Sequence, residues 1–266
     1  MRPSAGGHTE AILEASAPNG VVIGVDRDEK ALQKAKARLH RFGDRLRPVH
    51  GRFGSLPEIV REAGADSVNG LVADLGLSSM QLDDPERGFS FQRSGPIDMR
   101  MDQSDGRSAI ELIARTSEND LADLIYEFGE ERRSRAIARS IKRAEHDDRL
   151  ETTDDLRRAV VAVLGPKRTK TDPATRTFQA LRIAVNEELE ELRSLIECLP
   201  SVLQNDGVAV IISFHSIEDR IVKHAFREND DWTPLSKKPV IATEDEIRAN
   251  PRSRSAKLRA ARWGRP

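Results

Sequence analysis

The stretch VNGLVADLGLSSMQLDDPERGFSFQRSGPIDMRMD, residues 68–102, decides how this chain is organised. Its first eight residues are mostly apolar and predict a buried strand, whereas the remainder has neither helical nor strand periodicity. Loops of that length are uncommon in compact domains and are usually functional or disordered. This loop is too apolar for a disordered linker, so we expect an ordered, functional loop after the strand. The apolar residues are Leu77, Met80, Leu82, Phe89, Phe91, Ile97, Met99 and Met101.

Elements on either side of this stretch predict a sheet that is interrupted by helices. Before it, apolar runs predict strands at 20–26, 45–51 and 68–75 with helices between them, a βαβαβ pattern typical of a parallel sheet covered by helices. After it, helical periodicity dominates from 108 to 164 and from 175 to 203. The clearest strand follows at 207–214, with weaker candidates at 238–242 and 256–263. We therefore predict an α/β fold with an all-helical insertion, divided as 1–87, 88–185 and 186–266.

Composition restricts the class of protein. The 266 residues carry a net charge of −1, which gives no global attraction to nucleic acid. Cys198 is the single cysteine, so the chain can form no internal disulfide, and its apolar surroundings predict a packed thiol. The first ten residues, MRPSAGGHTE, do not resemble a signal peptide, and no apolar run approaches the roughly 18 residues of a membrane span. These features predict a cytoplasmic protein that does not use a membrane.

Candidate functional residues follow the predicted strands, because α/β sheets bind ligands at the carboxyl ends of their strands. Asp26 ends the first strand and follows the glycine turn at Gly7, a spacing typical of nucleotide binding, although the full three-glycine fingerprint is absent. A tight turn followed by a solvated aspartate is the alternative. Asp74 and His215 end two further strands and are expected to meet in one cleft. Alternatively, His215 is a structural histidine beside a helix that is capped by Ser216.

The basic residues are clustered although the total charge is balanced. Residues 132–143 (RRSRAIARSIKR) carry six lysines or arginines and no acid, and residues 166–170 (PKRTK) add three more. The last sixteen residues, PRSRSAKLRAARWGRP, carry another six. Any one such run is usually a solvated helix face. Three runs in a nearly neutral chain favour contacts with the phosphates of a structured nucleic acid.

Five segments together resemble the bacterial small-subunit ribosomal RNA cytosine-N4 methyltransferases, the RsmH or MraW family. The segments are DLGLSSMQLDDPERGFSFQRSGPIDMRMD, GEERRSRAIARSI, DPATRTFQALRIAVNEELEEL, VIISFHSIEDRIVKHAFRE and NPRSRSAKLRAA, in the family's order along nearly the whole chain. The resemblance implies a Rossmann-like enzyme that uses S-adenosylmethionine and no metal. It implies one cytidine in the decoding region of 16S ribosomal RNA as substrate, within the small subunit or its precursor, with the helical insertion helping to hold RNA.

The resemblance also implies a set of site residues. Cofactor contacts are expected at Gly6, Gly7, His8, Asp26, Phe53, Asp74 and Gln81. Because enzymes that act on a base usually extrude it from its stack, the loop from Asp74 is expected to wall the methyl-transfer chamber. Arg87, Phe89 and Phe91 would grip the extruded base, although the two phenylalanines equally fit an anchoring role for the loop. RNA phosphates are expected at Arg132, Arg133, Arg139, Lys142 and Arg143.

The chemistry implied by the resemblance needs few acid–base groups. The exocyclic amine of cytosine is a poor nucleophile because its lone pair is delocalised into the ring. A hydrogen-bond acceptor at N4 localises that pair, and positioning then supplies most of the rate. Asp74 is the first candidate for this acceptor or its support. Ser78, Ser79 and His215 are further candidates.

One departure from the family concerns the N-terminal side of the glycine turn. Members of this family have another strand there, which would lie between the strands at 20–26 and 68–75. We therefore expect these two strands not to pair with each other. Two other functions stay open: a catalytically inactive RNA-binding remnant of the family, motivated by this departure, and a nicotinamide-dependent oxidoreductase, motivated only by the glycine turn and Asp26. The sequence does not determine the oligomeric state.

Overall fold

A computed structural model describes residues 6–166 and 171–264 of the chain. The chain divides into two compact units, which we call the sheet unit (Met1–Gly76 with Leu189–Pro266) and the helical unit (Leu77–Glu188). The helical unit thus begins at Leu77, whereas the predicted insertion begins at 88, because the long loop packs its apolar side chains into the helical core. Among the described residues, no helix is both long and apolar enough to cross a membrane.

The first part of the sheet unit alternates helices and strands, as predicted. The first helix, α1 (Gly7–Ala15), begins directly after Gly6, whose φ of 79° is a left-handed conformation that favours glycine. Asp28 caps α2 by accepting hydrogen bonds from the amides of Lys30 and Ala31. The elements are α1 (Gly7–Ala15), β1 (Val22–Asp26), α2 (Glu29–Arg38), β2 (Leu46–His50), α3 (Leu56–Glu62) and β3 (Val68–Asp74).

The helical unit contains six helices, α4 (Ser79–Asp83), α5 (Ala109–Arg115), α6 (Glu118–Gly129), α7 (Ser134–His146), α8 (Thr153–Leu164) and α9 (Thr175–Asn186), among its described residues. Within the stretch from 108 to 164 that was predicted to be helical, α6 ends and α7 follows near Glu130, which has a φ of 49°. The predicted helical stretch 175–203 breaks at Glu187, which has a φ of 51°. Periodicity does not reveal the break at Glu187, because apolar residues keep a helical spacing across it, whereas the polar run GEERRSR at 129–135 gives no periodic signal around Glu130.

The core of the helical unit includes much of the long loop. Phe89, Ile97, Met99 and Met101 of the loop are buried together with apolar residues of α5, α6, α7, α8 and α9. Burial of one such side chain contributes roughly 1.5–3 kcal/mol to the free energy of unfolding. The prediction that this apolar loop is ordered is therefore confirmed. The short helix α4 within it was not predicted, since five residues are too few to show periodicity.

The second part of the sheet unit completes a larger sheet. Strand β3 pairs in parallel with the long strand β4 (Leu203–Ser213). β4 pairs antiparallel with the last strand, β7 (Lys257–Trp263), and two short strands also pair antiparallel with β7. Both weaker strand candidates near the end of the chain are thereby confirmed. The elements are α10 (Glu188–Val202), β4 (Leu203–Ser213), α11 (Ser216–Glu228), β5 (Trp232–Pro234), β6 (Val240–Ile241), α12 (Glu244–Ala249) and β7 (Lys257–Trp263).

Strands β1 and β3 do not pair with each other. Among the described residues β1 pairs with β2 alone, whereas β3 belongs to the sheet with the order β3–β4–β7–β5. The three strands of the βαβαβ pattern therefore do not form one continuous sheet, and the expectation that the first and third strands do not pair with each other is confirmed. Val21 beside β1 and Val72 in β3 are 48% and 41% exposed, which is unusual for strands of a parallel sheet.

Candidate active site

His8 and Asp74 form a close pair in the sheet unit. His8 lies in the first turn of α1, Asp74 is the last residue of β3, and His8 Nε2 is 3.3 Å from Asp74 Oδ2. The side chains are 57% and 45% exposed, so both are accessible to a ligand. The hydrogen bond to Asp74 raises the pKa of His8 above its usual value, although partial burial of the imidazole acts in the opposite direction. The structure thus joins two residues predicted from separate parts of the sequence.

Asp26 presents a carboxylate at the end of β1. The amide of Asp28 donates a hydrogen bond of 2.8 Å to Asp26 Oδ1. Protein atoms around the carboxyl group desolvate it and raise its pKa, while this hydrogen bond lowers the pKa in part. One side of the residue remains open to solvent. Asp26 is therefore held by the backbone that follows it and is exposed at the strand end, where a ribose-binding acid is expected.

The turn that carries Phe53 lies beside Asp26. Asp26 is in register with His50 across β1 and β2, and the amide of Gly51 donates to the carbonyl of Asp26 at 3.1 Å. A Cβ at Gly51 would lie 2.7 Å from Ile59 Cδ1, so a larger residue there would have to displace the end of the Ile59 side chain. Parallel pairing of β1 and β2 therefore brings the predicted ribose acid and the half-buried Phe53 to the same edge.

Glu191, a residue that the sequence did not single out, holds this turn. Its carboxylate accepts a hydrogen bond of 3.1 Å from the amide of Phe53, and Arg52 Nη1 lies 3.3 Å from its other oxygen. Glu191 belongs to α10, and its side chain is 16% exposed. In the run EELEEL nothing distinguishes Glu191 from its acidic neighbours, so no signal in a single sequence identifies it.

His215 acts as the N-cap of α11. Its Nδ1 accepts a hydrogen bond of 3.4 Å from the amide of Glu218, and Glu218 in turn accepts from the amides of Phe214 and His215. The side chain of His215 is 7% exposed, and its Nε2 lies 3.3 Å from the Glu218 carboxylate. The alternative prediction of a structural histidine is therefore supported, but the predicted cap at Ser216 was wrong, because His215 itself is the cap.

Ser78, Ser79 and Gln81 lie at the start of α4 in the helical unit. Ser78 Oγ accepts from the amide of Gln81 at 3.2 Å, and Gln81 Oε1 accepts from the amide of Ser78 at 2.9 Å. This reciprocal arrangement is a capping box. Ser79 is the first residue of the helix. The described contacts therefore give Ser78 and Gln81 a role in shaping the loop.

Arg87, Phe89 and Phe91 contact other parts of the helical unit. The buried guanidinium of Arg87 donates to the carbonyls of Arg100 and Met101 at 3.1 and 2.6 Å. Phe89 is buried in the core, and Phe91 packs edge-to-face on Phe178 with ring centroids 4.9 Å apart. These contacts favour the anchoring role over the base-gripping role, because the three side chains already have partners within the protein.

Asn186 fastens the far end of the loop. Its Oδ1 accepts from the amide of Met101 at 2.7 Å, and its Nδ2 donates to the carbonyls of Met99 and Arg182 at 2.7 and 2.9 Å. Met99 has a φ of 62°, a costly conformation for a residue with a side chain. Asn186 is buried and stabilises this conformation. It is a second residue that the sequence did not single out.

The basic run from 132 to 143 separates into two groups of side chains. Arg132, Arg133 and Arg143 are exposed and have no side-chain partner among the described residues. Arg139 pairs with Glu118 at 3.3 Å, whereas the half-buried Lys142 donates to the carbonyl of Ile113 at 3.0 Å. The three exposed arginines are therefore free to contact phosphates. Lys142 instead donates to a backbone carbonyl in the last turn of α5.

The C-terminal basic run is partly paired within the protein. Residues 167–170 lie outside the described residues. In the C-terminal run, Arg259 Nε and Lys257 Nζ lie 2.7 and 3.1 Å from the carboxylate of Asp219. Although desolvation alone would raise the pKa of Asp219, these two partners hold it below its usual value. Lys257 and Arg259 thus connect β7 to α11.

Cys198 is a packed thiol, as predicted. Its Sγ lies 3.1 Å from the carbonyl of Leu195 and 3.7 Å from that of Phe53. Desolvation by burial raises its pKa to about 11. The thiol is therefore protonated at neutral pH and is a poor nucleophile.

Comparison with known proteins identifies similar chains. The sequence model of the MraW methylase family matches residues 4–263. The protein named ribosomal RNA small subunit methyltransferase H from Sorangium cellulosum is 60% identical over 259 residues, covering 97% of this chain and 82% of that protein. Proteins of the same name are 48% identical in a Picosynechococcus species, covering 96% and 86% of the two chains, and 46% identical in Trichlorobacter lovleyi, covering 96% and 88%.

Proposed function

The chain belongs to the MraW methylase family, and on that premise we propose that it transfers a methyl group from S-adenosylmethionine to the N4 amine of a cytidine in the decoding region of 16S ribosomal RNA. Its relatives carry the name of small-subunit ribosomal RNA methyltransferases, and the fold is of the Rossmann-like α/β class. The observation that carries the proposal is the accessible pair of His8 and Asp74 at the end of β3.

The residues at the strand ends fit the chemical groups of S-adenosylmethionine. The carboxylate of Asp26 suits the two hydroxyl donors of the ribose, and Phe53 beside it suits the flat face of the adenine. The first turn of α1 offers amide donors of Gly7 and His8 for the carboxylate of the methionine part. Gly6 permits the sharp turn before α1, because its φ of 79° is a conformation that favours glycine. The bound cofactor supplies an electrophilic methyl group on a positively charged sulfur.

Asp74 has the position and chemistry of the acceptor for the cytosine amine. In the proposed reaction its carboxylate accepts a hydrogen bond from N4, which localises the lone pair on that nitrogen. The N4–methyl bond forms as the methyl–sulfur bond breaks, and the surplus proton of N4 passes to the Asp74 carboxylate. His8 Nε2 lies 3.3 Å from the carboxylate and helps to set its orientation before the RNA arrives.

The helical unit supplies the proposed RNA contacts. Arg132, Arg133 and Arg143 are exposed cations that suit backbone phosphates. Arg139 can contribute only in exchange for its ion pair with Glu118, which costs little at a surface. The proposed partner is 16S ribosomal RNA in the small subunit or its precursor. Ser78, Ser79 and His215 are left with structural roles in this proposal, because local hydrogen bonds or helix geometry already explain them.

The test is replacement of Asp74 by Asn, which keeps the shape of the side chain and removes its charge. We expect Asp74→Asn to abolish N4-methylation of small-subunit RNA in a reaction with purified subunits, with cofactor affinity changed by no more than a few-fold. Mass spectrometry of RNA digests measures the product. Asp66→Asn, at an exposed position before the other end of β3, is the matched control. Full methylation by Asp74→Asn would exclude Asp74 from the reaction.

A further inference from the structure

One face of α10 holds the peptide groups on both sides of the Phe53 side chain. Glu191 accepts the hydrogen bond of the Phe53 amide at 3.1 Å, and the thiol of Cys198 lies 3.7 Å from the Phe53 carbonyl. Glu191 and Cys198 are two helical turns apart, so they lie on the same side of α10. The backbone of Phe53 is therefore fixed from one direction by one helix.

The bond from Glu191 is the stronger of the two contacts. It joins a charged carboxylate, 16% exposed, to a backbone amide, and a hydrogen bond to a charged group is about twice as strong as a neutral one. The same carboxylate pairs with Arg52 at 3.3 Å, so two consecutive residues of the turn share one acceptor. The thiol is a weak donor at a long distance.

Other contacts hold the turn as well: the amide of Leu56 donates to the Phe53 carbonyl, and Phe53 packs against the apolar core of the sheet unit. The amide of Gly51 is bonded to the carbonyl of Asp26, and the amide of Ser55 is bonded to the carbonyl of Arg52. These bonds hold the two ends of the turn. The amide at its centre, that of Phe53, donates its hydrogen bond to Glu191. Because these other contacts keep the turn in place, loss of the Glu191 acceptor should shift the backbone and the ring of Phe53 while the rest of the turn stays folded.

We propose that Glu191 is a positioning residue of the cofactor site, which fixes Phe53 beside Asp26 so that its ring meets the adenine of S-adenosylmethionine. The inference rests on the proposed function, since it requires that the cofactor binds at this edge. Glu191 does not touch the cofactor or the reacting atoms. Its effect therefore acts on cofactor binding and not on the methyl-transfer step.

The experiment combines three variants of Glu191 with one of Phe53. We expect Glu191→Ala to weaken S-adenosylmethionine binding roughly 5- to 20-fold in calorimetry, as for one lost hydrogen bond. The KM for the cofactor should rise by the same factor, while kcat at saturating cofactor stays within about twofold. Glu191→Gln keeps a carbonyl acceptor for the Phe53 amide and should restore most of the affinity. Glu190→Ala, an exposed neighbour that pairs with Arg193, is the control.

A double-mutant cycle separates positioning from general destabilisation. In the background of Phe53→Ala, the change Glu191→Ala should have little further effect on cofactor affinity, because there is no ring left to position. If Glu191→Ala does not fold, Glu191→Asp carries the same test, since it keeps the charge but withdraws the oxygens by about one carbon–carbon bond, roughly 1.5 Å.

The outcomes distinguish this inference from the proposed function. Unchanged cofactor affinity in folded Glu191→Ala, or an equal loss with and without the Phe53 ring, would overturn the role of Glu191 while the enzyme remains a methyltransferase. A lowered kcat with an unchanged KM would also overturn it. If the unaltered protein did not bind S-adenosylmethionine at all, the proposed function itself would fail, and the inference with it.

Discussion

His8 Nε2 and Asp74 Oδ2 lie 3.3 Å apart, so the first turn of α1 is joined to the end of β3 although the strand next to α1 in sequence, β1, does not pair with β3. The pair therefore connects the proposed cofactor-binding turn to the proposed acceptor of the cytosine amine. Both side chains are about half exposed, which keeps their interaction sensitive to pH and to ligands.

The first prediction concerns the pKa of His8. Its hydrogen bond to Asp74 raises this pKa above the usual value, so the attraction is fully present below about pH 6.5 and is lost as the pH rises through the raised value. NMR titration of the His8 imidazole should show the raised pKa, and Asp74→Asn should lower it. His40→Ala, at an exposed histidine elsewhere in the sheet unit, should leave it unchanged.

The same pair predicts a pH dependence of methyl transfer. Protonated His8 competes with the cytosine amine for the Asp74 carboxylate, so kcat should fall as the pH decreases through the pKa of His8. His8→Gln, which cannot acquire a charge, should abolish this fall. A rate profile that is the same in His8→Gln and in the unaltered protein would mean that another group titrates.

The second prediction concerns Asp26. Asp26→Ala should weaken S-adenosylmethionine binding by about 1–3 kcal/mol, because one or two hydrogen bonds from the ribose hydroxyls are lost. Isothermal titration calorimetry measures this change, and Asp66→Ala at an exposed turn is the control. NAD should show no saturable binding to either protein. Equal affinity of the Asp26 variant and the unaltered protein would remove Asp26 from the cofactor site.

The third prediction concerns the salt dependence of RNA binding. Replacing both Arg132 and Arg143 by Ala should flatten the slope of log affinity against log salt by roughly 0.7–0.9 per lost phosphate contact. Cofactor affinity should not change. The double variant of Arg149 and Arg158 removes two exposed arginines that pair with Asp147 and with Asp154 and Asp155, so it should change the slope less. Equal slopes in the two variants would support a solvated face at 132–143.

The fourth prediction concerns the stability of the long loop. Asn186→Ala removes hydrogen bonds to the backbone of Met99, Met101 and Arg182 in a buried position, which should lower the free energy of unfolding by roughly 2–4 kcal/mol. Urea denaturation measures the change. Asn119→Ala on the exposed face of α6 should change it by no more than about 0.5 kcal/mol. A loss similar to that of Asn119→Ala would show that the Met99 conformation does not depend on Asn186.

The sequence alone determined the features that depend on neighbours along the chain. Alternating apolar runs predicted β1, β2, β3 and β4, and the rule that ligands meet strand ends singled out Asp26 and Asp74. Apolar residues in the long loop predicted its order, because such residues gain free energy only when they are buried. The predicted strands and the ordered loop are confirmed because periodicity and apolar composition are local properties, whereas the roles of Asp26 and Asp74 stay predictions.

Only the tertiary structure decided which side chains hold the site. Glu191 is 138 residues from Phe53 in sequence, and Asn186 is 85 residues from Met101, so no local pattern relates either pair. His215 shows that residue type and position along the chain do not by themselves identify a role. A histidine at a strand end has the same residue type whatever it contacts, and only the folded chain shows that His215 caps α11 and lies against Glu218. Hydrogen bonds between distant residues depend on how the elements pack, and packing is a property of the folded chain as a whole.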